Sequence, residues 1–271
     1  MAWITAGETD VHVVEAGSGQ PLLFLHGFGS CAEAWHRQLA AFSSRCRVIA
    51  YDSVNHGHSS VSPEGRPEPD RADELDAVLE ALGIDRPIVA GNSMGALTTL
   101  RWASRHPDRA LGLIPSGMGV APPDTGESEA ETARRARMFA PIDEATLFIP
   151  AEGGFTREFP TTHPDEYERY IRLRSTATRI EASRHPRRPA MADPGRDELA
   201  ERVAKISSPM QIIVGEKDWL RDRARHLHEL VPASRFAEIP GAPHNVYYET
   251  ADAYNAVVSE FLDLLGVWRR R

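Results

Sequence analysis

Residues 91–95 read Gly-Asn-Ser-Met-Gly and contain the serine best placed to act as a nucleophile. They follow a short apolar run and precede a helical pattern, so this G-x-S-x-G motif falls at a turn from a strand into a helix. Such a turn leaves no room for side chains two residues before and after the serine, which explains the two glycines. The sequence therefore predicts that Ser93 presents its hydroxyl as a nucleophile. The competing interpretation is a glycine-rich loop without chemistry.

A serine nucleophile requires a base and a carboxylate that orients the base. Asp218 follows one predicted strand near the end of the chain, and His244 follows the next. Their order along the chain, serine then acid then histidine, is one of the known orders of a catalytic triad. Glu216 and Asp124 are alternative acids, and each of these residues taken alone would also fit an ordinary polar loop.

Residues 26–29, His-Gly-Phe-Gly, follow another predicted strand and could supply an oxyanion hole. Acyl transfer develops negative charge on the carbonyl oxygen, so two preorganised N–H donors must face it. The backbone N–H groups of Phe28 and Met94 are the natural pair. His26 is expected to brace this loop rather than to act as a base.

These residues are positioned by an alternation of short apolar runs and amphipathic stretches. Seven segments are predicted strands: Asp10–Ala16, Pro21–Leu25, Arg47–Tyr51, Pro87–Ala90, Ala110–Ile114, Met210–Val214 and Arg235–Ile239. Strands alternating with helices predict an α/β fold with a doubly wound, mostly parallel sheet. Residues 119–208 contain charged helical stretches and no convincing strand. We predict a helical lid there, inserted into a core domain of residues 1–118 and 209–271 and lying over the carboxyl edge of the sheet.

The composition of the chain limits which partners and which cellular compartment are expected. The chain has 271 residues and a net charge of −8, which argues against nucleic acid or an anionic membrane as the main partner. No apolar stretch is long enough to cross a bilayer, and the first residues do not read as a secretory signal. Two cysteines make neither a disulfide framework nor a thiolate metal site, so we expect a cytoplasmic protein. His226 and His228 point apart on a predicted helix, and no metal or other cofactor is expected.

Several motifs together resemble one known family. In chain order they are HGFG at 26–29, DSVNHGHS at 52–59, GNSMG at 91–95, GEKD at 215–218 and GAPH at 241–244. The sequence resembles the α/β-hydrolase fold superfamily, in its lid-bearing esterase, lactonase and C–C hydrolase branch, over nearly the whole chain. The resemblance implies that Ser93, Asp218 and His244 are nucleophile, acid and base. Asn55 stands where the family usually has a glycine, a mild change because asparagine tolerates positive φ.

The resulting interpretation is a serine hydrolase of a carboxylic ester or lactone. C–C bond hydrolysis of a ring-cleavage product ranks second, because those enzymes typically carry HGxGPG and a tryptophan after the histidine, where this chain has HGFGS and Asn245. A non-catalytic ligand-binding protein of the same fold is also compatible with the sequence. A dinucleotide-binding domain is a further alternative, since residues 27–32 fit G-x-G-x-x-A and Asp52 follows 20 positions later.

The substrate is expected to be a largely apolar small molecule, and a homo-oligomer is compatible with the sequence. Residues near the motifs or in the predicted lid are mostly apolar. The candidates for the pocket are Trp35, Asn92, Met118, Met138, Phe139, Phe148, Trp219 and Val246.

Overall fold

The protein folds around one eight-stranded sheet. The structure is a computed structural model and describes residues 2–62, 69–122, 129–138, 140, 153–178 and 196–267. The strands are β1 (Ala2–Ala6), β2 (Thr9–Ala16), β3 (Gln20–Leu25), β4 (Cys46–Tyr51), β5 (Ile88–Asn92), β6 (Gly112–Ser116), β7 (Gln211–Gly215) and β8 (Arg235–Ile239). All seven predicted strands are present. The sequence did not predict β1, which is mostly exposed and shows no apolar alternation.

The strand order is β1-β2-β4-β3-β5-β6-β7-β8. Strand β2 pairs antiparallel with β1 and β4, and the strands from β4 through β8 pair in parallel. The predicted α/β fold with a mostly parallel sheet is therefore confirmed. Because β3, β5, β6, β7 and β8 point the same way, the loops after them meet at one edge of the sheet, where ligands bind in such folds.

Helices cover both faces of the sheet. They are α1 (His36–Phe42, after a 3₁₀ turn at Ala32–Trp35), α2 (Arg71–Ala81), α3 (Met94–Arg105), α4 (Glu129–Met138), α5 (Phe159–Thr162), α6 (Pro164–Ala177), α7 (Arg196–Val203), α8 (Arg221–Leu230), α9 (Val246–Glu249) and α10 (Ala251–Leu264). Side chains of a strand point alternately to the two faces, so Leu23 and Leu25 pack against α2, α3, α7 and α8. Leu22 and Phe24 pack on the other face against α1, α9 and α10.

The chain between β6 and β7 contributes helices α4 to α7. Among the described residues, none of this segment adds a strand to the sheet. Within the segment predicted as a lid, Leu199 and Val203 of α7 are buried in the core cluster that also holds Leu100 of α3. In the part of the chain that the structure describes, no helix is long and apolar enough to span a membrane.

Candidate active site

Ser93 occupies the turn between β5 and α3. Its backbone has φ 55° and ψ −110°, and among described non-glycine residues only Asn55 also has a positive φ. The turn is tight, since an ideal Cβ on Gly91 would lie 2.3 Å from the carbonyl oxygen of Gly95, and one on Gly95 would lie 2.1 Å from that of Leu25. The glycines are therefore sterically required, as the motif predicts. The strain holds Ser93 half-buried at the carboxyl edge of the sheet.

Asp218 and His244 form a buried pair. The Nδ1 atom of His244 lies 3.0 and 2.9 Å from the two carboxylate oxygens of Asp218 and donates to them. Asp218 also accepts a bond from the backbone N–H of Leu220 at 2.9 Å, which fixes the carboxylate. The alternative acid Glu216 is exposed and accepts from the N–H of Gly241 instead. The other alternative, Asp124, lies outside the described residues.

Gly117 is the point at which these groups converge. The N–H of Ser93 donates to the carbonyl of Ser116 at 2.9 Å. An ideal Cβ on the next residue, Gly117, would lie 3.1 Å from Asp218 Oδ2 and 3.2 Å from His244 Cε1. No direct hydrogen bond joins Ser93 Oγ to His244 within the described residues. Such bonds are often long without substrate and tighten in the substrate complex.

Sequence reasoning missed Gly117. The predicted strand ended at Ile114, and the next residue, Pro115, lacks the N–H that a central strand uses. In the structure Pro115 pairs with Gly91, and β6 continues to Ser116. The signal that could have found Gly117 is a glycine directly after a strand at the carboxyl edge, where its φ of 60° favours glycine.

The loop after β3 lies against the serine. An ideal Cβ on Gly27 would be 3.5 Å from Ser93 Cβ, so the following residue, Phe28, is close to Ser93. Met94 is the first residue of α3, and the first N–H groups of a helix have no partner within it. Phe28 thus follows the glycine that faces Ser93, and Met94 follows Ser93 itself at the start of α3.

His26 braces this loop, as its sequence context predicts. Its Nδ1 donates to the carbonyl of Gly27 at 2.8 Å, and its Nε2 accepts from the N–H of Ser53 at 3.0 Å. This arrangement needs the neutral ring, and burial lowers the pKa of His26 in agreement with it. His26 therefore connects the loop after β3 to the loop after β4.

The contacts of Asp52 contradict the dinucleotide-binding alternative. Its buried carboxylate accepts bonds from the N–H of Ala32 at 2.7 Å and of His58 at 3.0 Å, and from His12 Nδ1 at 2.9 Å. A dinucleotide-binding acid must instead present its carboxylate to the ribose. Asp52 is fully engaged in holding the loop segments together.

The predicted pocket residues have different environments. The ring of Trp219 lies 4.1 Å from that of His244 and is half-buried, which places it beside the candidate base. Asn92, Met118 and Val246 are buried in segments adjoining Ser93, Gly117 and His244 respectively. Phe139 and Phe148 lie outside the described residues, as does the side chain of Met138, whose backbone ends α4.

Trp35, another predicted pocket residue, lies in an apolar cluster. It is fully buried, with its ring 4.8 Å from that of Phe24 and 3.9 Å from that of Tyr247. The 3₁₀ turn before α1 directs the side chain into the core beneath the sheet face. Trp35 therefore packs between the sheet and α9 as a core residue.

His226 and His228 have separate partners on α8. The Nδ1 of His226 contacts Glu229 at 3.0 Å, and that of His228 contacts Ser234 at 2.8 Å. In the described parts of the chain, no group of three or more His, Cys, Asp or Glu side chains is arranged to hold a metal ion.

Comparisons with known proteins agree with this fold. A family model described as the alpha/beta hydrolase fold matches residues 20–251. The 2-(acetamidomethylene)succinate hydrolase of Mesorhizobium japonicum is 26% identical, over 96% of this chain and 94% of that protein. A thermophilic esterase from Thermogutta terrifontis superposes with a TM-score of 0.78 at 23% identity, covering 97% of this chain and 98% of that one. For the enol-lactonase from Burkholderia xenovorans the TM-score is 0.76 at 23% identity, covering 97% and 100%. At these identities the structural likeness establishes the fold.

Proposed function

The chain belongs to the α/β hydrolase fold family, and on that premise we propose that it is a serine hydrolase of a carboxylic ester or a lactone. The family and its neighbours support hydrolysis in general. The serine mechanism is supported by one observation above all: the strained Ser93 turn and the buried Asp218–His244 pair meet at Gly117.

The proposed mechanism assigns one role to each group. His244 takes the proton of Ser93, and the serine oxygen attacks the carbonyl carbon of the substrate. The N–H groups of Phe28 and Met94 hold the oxyanion. His244 then protonates the leaving alcohol, and a water activated by the same ring hydrolyses the acyl-enzyme. Asp218 keeps the imidazole in the tautomer with Nδ1 protonated and stabilises its cation.

We further propose that the segment between β6 and β7 forms a lid over this site. One described part of it, residues 153–178, contacts the loop that carries the base: the carbonyls of Gly153 and Gly154 accept bonds from the N–H groups of His244 and Asn245 at 3.4 and 3.0 Å. An ideal Cβ on Gly153 would lie 2.9 Å from the Trp219 ring. These contacts support a substrate pocket bounded by this segment and the sheet edge.

We also propose that the protein is cytoplasmic and acts on a largely apolar small molecule. Two free cysteines and no disulfide framework favour the reducing cytoplasm. The proposed mechanism needs neither metal nor organic cofactor, and a largely apolar small molecule is the proposed partner.

A substrate panel tests the proposal. Wild type, Ser93→Ala and the exposed-serine control Ser44→Ala should be assayed with p-nitrophenyl esters, lactones of several ring sizes and a ring-cleavage dienoate. We expect ester or lactone turnover in wild type and in Ser44→Ala, with a loss of about 10⁴-fold or more in Ser93→Ala. Preference for the dienoate by orders of magnitude would assign C–C hydrolysis instead. Turnover that survives Ser93→Ala, or no turnover of any substrate, would contradict the serine mechanism.

A further inference from the structure

Helix α6 contacts the loop after β3 through Arg174. Residues 26–29 of this loop, which carry the proposed oxyanion donor Phe28, are called the oxyanion loop below. The Arg174 side chain is buried, and its NH1 donates to the carbonyl of Gly29 at 3.3 Å. An ideal Cβ on Gly29 would lie only 2.3 Å from the same nitrogen, so the guanidinium occupies the space that a larger residue would fill. Gly29 also has φ 67°, which favours glycine. The oxyanion loop is thus shaped to receive this arginine.

One turn earlier, α6 touches the loop that carries His244. The hydroxyl of Tyr170 accepts a bond from Nδ2 of Asn245, the residue after the candidate base, at 3.3 Å. The ring of Tyr170 is buried, edge-on to Phe155 at 4.6 Å and to Tyr248 at 4.9 Å. Burial raises the pKa of Tyr170, and the charge of Arg174 offsets only part of that rise, so the phenol stays protonated.

The end of α6 holds a third segment. The carbonyl of Ala177 accepts from the N–H of Gly57 at 2.9 Å, and Thr178 pairs with His56 in an isolated bridge. The ring of His56 packs edge-on against that of Phe28 at 5.7 Å. The helix therefore supports the proposed oxyanion donor from a second side.

The sheet alone does not hold the oxyanion loop and the loop that carries His244 at a defined distance from each other. The oxyanion loop follows β3 and the histidine loop follows β8, and β5, β6 and β7 lie between those two strands. At about 4.8 Å per strand, the two strand ends are roughly 19 Å apart, and each loop must reach inward to meet at Ser93. Tyr170 and Arg174 are four residues apart, so they lie on one face of α6, about 6 Å apart along its axis. A rigid helix that contacts both loops can set the gap between them.

We propose that α6 sets the position of the oxyanion loop relative to His244, with Arg174 and Tyr170 as its positioning residues. This inference rests on the proposed function, because it assigns Phe28 and His244 their roles in acyl transfer. Neither residue needs to touch the reacting atoms. Loss of either contact lets one loop shift, and a shift near 1 Å at a reacting group can reduce the rate by about 100-fold.

The test uses a neutral p-nitrophenyl ester, so that recognition of a charged substrate plays no part. We expect Arg174→Met to lower kcat by roughly 10- to 100-fold, with KM changed less than about threefold. Arg174→Lys should recover part of kcat, since its ammonium can still donate to Gly29. Tyr170→Phe, which removes only the hydroxyl, should lower kcat by roughly three- to tenfold. The matched control is Arg172→Met on the same helix, because Arg172 is exposed and pairs with Glu168; it should keep wild-type kcat.

Two readouts separate positioning from general destabilisation. The Ki of a boronic acid, whose tetrahedral adduct occupies the oxyanion hole, should rise by the same factor by which kcat/KM falls in Arg174→Met. The double variant Arg174→Met with Tyr170→Phe should lose less than the product of the single losses, since both act through one gap. The inference is overturned if the boronate Ki is unchanged, if the losses multiply, or if Arg172→Met behaves like Arg174→Met. Ser93→Ala distinguishes failure of this inference from failure of the proposed function. If Ser93→Ala is still active, the proposed function itself is wrong. If Ser93→Ala is inactive but Arg174→Met has wild-type kinetics, only the positioning role of α6 is wrong.

Discussion

Replacing Gly117 by alanine probes the centre of the site with a single methyl group. Two effects follow from the structure. The residue has φ 60°, and a left-handed conformation costs an L-residue about 1–2 kcal/mol relative to glycine. The new Cβ would also lie 3.2 Å from His244 Cε1, whereas carbon atoms pack at about 3.5–4.0 Å. The imidazole must therefore move by at least about 0.3 Å.

Gly83→Ala is the matched control, because it places alanine at a positive φ without crowding any neighbouring atom. Gly83 has φ 64° at the end of α2, and nothing lies within 4 Å of its ideal Cβ. At about 2–4 °C per kcal/mol, both variants should lower Tm by ~2–8 °C. Only Gly117→Ala should also lower kcat, by roughly fourfold or more, given that a 1 Å misplacement costs about 100-fold.

The assay is ester hydrolysis under saturating substrate, combined with a thermal melt of each variant. A normal kcat in Gly117→Ala would mean that the Asp218–His244 pair is not part of the catalytic machinery. An equal loss of kcat in Gly83→Ala would mean that the loss reports stability rather than crowding at the site.

Three further outcomes are expected. Asp218→Asn should lower kcat by about 10⁴-fold with little change in Tm, because a neutral amide cannot stabilise the imidazolium and its NH2 can donate to Nδ1 of His244, which favours the wrong tautomer. A normal kcat there would point to another acid. Burial raises the pKa of the Cys31 thiol to about 12 and that of Cys46 to about 11, so iodoacetamide should label neither in the native protein and both after unfolding. Burial lowers the pKa of His26 in the folded protein, so as the pH falls the unfolded chain binds a proton on this ring before the folded protein does. The free energy of unfolding measured in urea should therefore fall as the pH drops below 6.5, and it should fall less steeply in His26→Gln.

The sequence predicted those parts of the candidate site whose positions depend on neighbouring residues in the chain and on the ends of strands. Ser93 stands between two glycines at a strand end, and the packing of Gly91 against Gly95 shows why no other residue fits there. Asp218 and His244 each follow a strand of a parallel sheet, and parallel strands place their carboxyl ends at one edge. Strand alternation and helix periodicity were enough to identify that edge.

The parts that the sequence did not predict depend on contacts between distant segments. Trp35 follows an active-site loop closely, but a short 3₁₀ turn decides that its ring enters the core. The contact of Tyr170 with Asn245 joins residues 75 positions apart and has no local signature. The amphipathic pattern of α7 is the same whether the helix packs on a lid or on α3, so its place in the core could be read only from the fold.

The central claim is that Ser93 is a nucleophile activated by His244, and covalent labelling tests it most directly. Wild type should be treated with a fluorophosphonate, then examined by intact mass and peptide mapping. We expect a single adduct on Ser93, no adduct in Ser93→Ala, and labelling slowed by about 10³-fold or more in His244→Ala. Labelling at another residue, or a rate in His244→Ala equal to that of wild type, would contradict the account.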